Sequence, residues 1–125
     1  MEFIINTKLP SLNDYTKACR GNKYAGNKYK KDIEELIGFA IKEAKRKGTL
    51  HPTEKPIFFT AEWHESTKRR DPDNIVFAKK FIFDALQDYG IIPNDNQTYV
   101  KGFHEVIKHD SRDFVKIELK EIDYE

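Results

Sequence analysis

The chain has 125 residues, the size of one domain, so one hydrophobic core is expected and two are not. Hydrophobic residues make up 38% and charged residues 34%, a polar balance in which nine Phe, six Tyr and one Trp must help to fill the core and dimerisation is an added source of stability. A net charge of +1 excludes a chain that is basic throughout, the single Cys19 excludes an intrachain disulfide, and no apolar run approaches the ~20 residues of a membrane span, so a soluble cytoplasmic protein is expected.

Glu2–Leu9 reads as a strand, with Phe3 and Ile5 on one face, ended by Pro10. Ser11–Asn27 has no clean period and reads as a long functional or disordered stretch. It is basic: no acid occurs from Tyr15 to Lys31, while Lys17, Arg20, Lys23, Lys28, Lys30 and Lys31 do. Lys28–Lys47 is the clearest helix, with Ile33, Leu36, Ile37, Ala40, Ile41 and Ala44 at helical spacing and Gly48 as its stop. Ile57–His64 reads as a strand containing Trp63 as a core residue, and Asp71–Asp88 as a second helix. Thr98–Lys108 and Asp113–Ile122 read as two strands joined in a hairpin at His109–Arg112. The order β-α-β-α-β-β implies a single α/β domain over residues 1–125, a mixed β-sheet packed with two helices.

The segment Lys68-Arg69-Arg70-Asp71-Pro72-Asp73-Asn74 runs three cations into two carboxylates one residue apart. At roughly 100° per residue, Lys80 and Asp84 return almost to the direction of Asp73, so the three form one polar stripe opposite Ile75, Ala78, Ile82, Ala85 and Leu86. Asp71 has a plain alternative role as an N-cap before Pro72, with Asp73 favouring the positive helix end. Lys80 and Asp84 have one as an i, i+4 surface pair. A further acid, Asp95, stands in the turn Asn94-Asp95-Asn96-Gln97. Three carboxylates from two segments are a set that Mg²⁺ takes, and the equal alternative is that Asp95 bonds its own turn backbone. The four histidines have no zinc spacing.

Taken in order, Asp71-Pro72-Asp73-Asn74, then Lys80 four residues before Asp84-Ala85-Leu86, then the acidic turn at Asp95, resembles the RusA family of Holliday-junction resolvases. Leu9-Pro10-Ser11-Leu12-Asn13 is similar to that family's N-terminal Pro-Asn segment. Two departures are a longer stretch before Lys80, which brings Lys79 into frame as the alternative lysine, and Asn94 where an Asp is frequent. The resemblance implies a homodimeric, RusA-like endodeoxyribonuclease that cuts four-way junctions in recombination and repair, in a cell or a phage. It implies Mg²⁺, with Mn²⁺ as substitute, on Asp71, Asp73 and Asp95, and Lys80 at the phosphate. Lys68, Arg69, Arg70, Lys17, Arg20, Lys23 and Asn13 are then expected on DNA, with Asn74, Lys79 and Asp84 in supporting places. The competing expectation is a non-catalytic nucleic-acid-binding module of the same fold.

Overall fold

A computed structural model describes residues 1–123 as one mixed α/β domain. Its strands are β1 (Glu2–Ile5), β2 (Ile57–Glu65), β3 (Val100–His109) and β4 (Phe114–Glu121); its helices are α1 (Leu12–Gly21), α2 (Lys23–Lys47), α3 (Pro72–Val76) and α4 (Lys79–Asp88). The sheet order is β1-β4-β2-β3. β4 is antiparallel to both β1 and β2, whereas β3 is parallel to β2.

Every second residue of β2 is buried, from Ile57 through Phe59, Ala61 and Trp63 to Glu65. Phe3, Ile5, Val115, Ile117 and Leu119 continue that face, and Ile37, Ile41, Phe81, Ile82, Ala85 and Leu86 from the helices close over it. Each large apolar side chain so buried contributes about 1.5–3 kcal/mol. Where α2 meets Tyr89, a Cβ at Gly38 would collide with the end of the tyrosine ring and force it to move. No helix of the described residues is long and apolar enough to cross a membrane.

Three expectations are corrected. Ser11–Asn27 is helical, not a loop. Ser11 caps α1 by accepting from the Asp14 amide at 3.1 Å while Asp14 accepts from the Ser11 amide at 3.0 Å, and Asn22 caps α2. The reciprocal bonds hold the Asp14 carboxyl below the usual range, first through the Ser11 backbone N–H. α1 buries no residue completely and packs through Tyr15 onto Phe77 and Phe81, with centroids 5.8 and 5.3 Å away.

The single helix expected over Asp71–Asp88 is two, broken at Phe77 and Ala78. The final strands do not form a hairpin. β3 reaches the sheet by a parallel crossover from β2, and β4 then inserts on the other side of β2. The physical reason is burial: Val115, Ile117 and Leu119 of β4 are interior residues, while β3 carries no buried residue and suits an edge.

Candidate functional site

A buried ion pair fixes the segment that carries the acidic motif. Glu65, at the end of β2, is 5% exposed. Arg70 clamps it with two bonds, Nε to Oε1 at 2.9 Å and Nη2 to Oε2 at 2.8 Å. The same guanidinium donates to the Leu9 carbonyl at 2.8 Å, tying in the approach to α1. Asp113 holds the preceding turn through the Ser66 amide and hydroxyl, at 2.7 and 3.0 Å. Those bonds, chiefly the backbone one, hold the Asp113 carboxyl below the usual range. Arg70 is thus turned inward, and the DNA contact expected of it is replaced by a role in the fold.

Asp71 occupies the N-cap position of α3, with Pro72 next, yet its carboxylate makes no capping bond. Asp73 accepts only from the adjacent Asn74 amide, at 3.0 Å. Both acids are exposed, and neither has an ion pair among the described residues. Asn74 Oδ1 is buried without a hydrogen-bond partner, leaving one more unused oxygen in the same turn. Lys68 and Arg69, just ahead, are exposed and unpaired among the described residues. Asn13, Lys17 and Arg20 are also exposed, and their i, i+4, i+7 spacing places them on one face of α1. α1 packs beside α3, so this polar face and the acidic turn belong to the same end of the molecule. Lys23 follows the Asn22 break and opens α2 instead.

The continuous helix assumed for the stripe of Asp73, Lys80 and Asp84 is interrupted at Phe77 and Ala78. Asp84 turns to α2 and pairs with Lys30 at 3.4 Å, near Glu34, whose carboxyl burial pushes up. Lys79 pairs with Glu105 at 2.8 Å and lies 4.3 Å above the Phe103 ring. Glu105 also accepts from Trp63 Nε1 at 3.3 Å. Lys79 is therefore held at the sheet's edge strand, whereas Lys80 is exposed and without an ion pair among the described residues.

Asp95 is exposed in the turn before β3. The turn bonds are made by its neighbours: Asn94 Oδ1 accepts from the Asn96 amide and Asn96 Oδ1 from the Thr98 amide, both at 3.0 Å. The Asp95 carboxylate takes no part in them. Its turn joins the sheet at the opposite end of β2 from the segment that carries the other acids. β3 starts beside Ile57, while Asp71 follows Glu65 at the other end of β2. Nine residues of β2 separate those ends, about 26 Å at ~3.3 Å per residue. Asp71 and Asp73 share one turn, and the chain does not bring Asp95 to them. Among the described residues no group of three or more His, Cys, Asp or Glu is disposed to hold a metal ion. Asp71, Asp73 and Asp95 are therefore not gathered into such a group among the described residues.

His64 is the centre of a second polar cluster. Its Nδ1 lies 2.8 Å from Asp110, its Nε2 3.2 Å from Glu62, and its ring stacks on Phe114 at 3.9 Å. Lys108 pairs with Glu62 at 3.2 Å, and these partners hold the Glu62 carboxyl low, Lys108 first. The alternation of β2 placed Glu62 and His64 on one face; only the sheet register supplied Lys108 and Phe114. No protein-family model matches this sequence, and no curated protein does.

Proposed function

We propose that the chain is an endodeoxyribonuclease for branched DNA, acting on four-way junctions as a two-fold dimer, as its resemblance to the RusA family implies. One observation carries the reading: Asp71 and Asp73 stand exposed, uncapped and unpaired on a turn clamped by Arg70 and Glu65, behind the free cations Lys68 and Arg69. Capping and turn closure, the ordinary uses of Asp71 and Asp95, are both left undone by these side chains. Exposed loop residues on a rigid scaffold are where binding groups are commonly carried, and these charges are free to meet a ligand.

Lys68, Arg69 and the α1 face of Asn13, Lys17 and Arg20 hold backbone phosphates, which position DNA without reading its sequence. Lys80 adds a cation from the start of α4. Mg²⁺ is the metal the resemblance implies, and two carboxylates of one chain are fewer than the set it was expected to use. A site with all three takes Asp95 from a second copy. An isologous dimer across β3 and α4 runs the two β3 edges antiparallel and sets the Asp95 end of each chain against the Asp71 end of the other. β3 is an edge strand there, with Phe103 51% and Ile107 38% exposed.

The test is cleavage of labelled four-way junctions with and without Mg²⁺, beside a duplex control. Asp71→Asn and Asp95→Asn homodimers are each expected to be inactive. Mixed and allowed to exchange subunits, they regain one intact site per dimer and nick the junction. No nicking by an exchanged mixture, with wild-type cutting intact, rejects the shared site. Junction binding by the wild type without cutting under either Mg²⁺ or Mn²⁺ leaves the non-catalytic binding module as the function.

A further inference from the structure

The side of the sheet opposite β3 presents a different surface. β1 pairs only with β4, so its outer edge is open. Met1 and Leu119 exchange both backbone bonds, at 3.0 and 2.7 Å. In an antiparallel ladder that phase makes Phe3 and Ile5 bond to β4 and turns the N–H and C=O of Glu2 and Ile4 outward. Glu2 follows this alternation, donating outward to the Thr49 carbonyl at 3.1 Å. The outward groups of Ile4 have no such partner among the described residues.

α2 walls this edge and makes a groove of about 730 Å³ along it. Its apolar lining is unusually open: Phe39 is 79% exposed, Ile4 48% and Leu36 40%. At the Asn6 end stand two cations, Arg112, which donates to Asn6 Oδ1 at 2.9 Å, and Lys116, which has no ion pair among the described residues. Glu43, along the α2 wall, is already neutralised by Arg46 and Lys47, and Glu2 lies at the far end.

We infer that this groove binds an extended peptide of a partner protein, added as a strand beside β1. Its apolar side chains pack on Leu36 and Phe39, and a carboxylate at the Asn6 end meets Arg112 and Lys116. An open sheet edge next to a helix wall satisfies the backbone and the alternate side chains of such a peptide together. A docked helix would cover the apolar residues but leave the Ile4 N–H and C=O unmet. The inference uses none of the acidic residues of the proposed nuclease site, so either can fail alone.

The experiment titrates the full chain with synthetic peptides of about eight residues that alternate Val with Asp, and with Lys in place of Asp as control. Amide exchange and backbone NMR shifts are followed. The acidic peptide is expected to slow exchange of the Ile4 amide and to shift Leu36 through Phe39. Methylating the peptide amides that face β1 should weaken binding about tenfold or more. Phe39→Ala, at an exposed position, should weaken it too, and Arg112→Glu with Lys116→Glu should transfer preference to the Lys peptide. Equal binding of the methylated peptide, shifts at Phe39 without protection of Ile4, or no shifts at millimolar peptide overturns the inference. Concentration-dependent dimerisation abolished by Phe39→Ala also overturns it, and assigns the groove to a second copy.

Discussion

Glu65 and Asp71 are carboxylates six positions apart, and the molecule treats them in opposite ways. Glu65 is buried and met by a bidentate guanidinium. Asp71 is exposed, caps nothing and pairs with nothing among the described residues. The three preceding cations divide in the same manner: Arg70 goes to Glu65, while Lys68 and Arg69 stay free. A charge removed from water must be paired, because an uncompensated one costs several kcal/mol. A charge left in water carries no such constraint and is open to selection for binding. One short segment thus holds both the anchor and what the anchor presents.

That contrast can be tested in order of the expected change in folding free energy. Arg70→Ala should be the most damaging, about 3–5 kcal/mol, because it strands Glu65 in the interior and frees the Leu9 carbonyl. Urea denaturation measures it, and a loss under about 1 kcal/mol would show that Glu65 is not held as a buried ion. Replacing both partners together should cost less than the sum of the singles, since no lone charge remains.

The next effect depends on pH. Asp113 and Asp14 have folded values below the ordinary carboxylate value of about 3.9, each through a backbone N–H. A depressed folded pKa contributes stability that is complete above the unfolded value and is lost as pH falls through the folded one. Urea midpoints should therefore drop below about pH 4, and Asp113→Asn should make that acid limb shallower. An unchanged limb in Asp113→Asn would separate the turn at Ser66 from acid stability.

Lys68→Ala with Arg69→Ala should leave stability within about 0.5 kcal/mol, as exposed unpaired residues do. Junction binding should weaken, and its logarithmic salt slope should fall by about 0.9 for each phosphate contact removed. Slopes that match the wild type would take these two cations off the DNA. The smallest stability change belongs to Asp71→Asn. Asparagine suits an N-cap position as well as aspartate, and the existing carboxylate makes no cap bond to lose. Melting should shift hardly at all while junction cutting disappears and binding persists. A variant that still cuts at the wild-type rate would remove Asp71 from the site.

The amino-acid sequence by itself determined the local pieces. Helical spacing in α2, alternation in β2 and β4, and Pro72 after Asp71 are properties of neighbouring residues, and each produced its element. The short helix α1 is hard to see in the sequence because Tyr15 finds its partners far along the chain, in Tyr29 of α2, Phe77 between α3 and α4, and Phe81 of α4. Its capping box, Ser11 with Asp14, was the visible signal. What only the tertiary structure decided were the relations between distant pieces. The order β1-β4-β2-β3 depends on which strand has enough apolar side chains to be covered, a competition over the whole sheet. The same crossover from β2 to β3 sends Asp95 to the end of the sheet away from Asp71 and Asp73. Spacing along the chain records none of this, since residues far apart in sequence acquire a distance only when the core packs. The partner of Arg70 is a like case: three adjacent cations are alike on paper, and only burial of Glu65 distinguishes the one that turns inward.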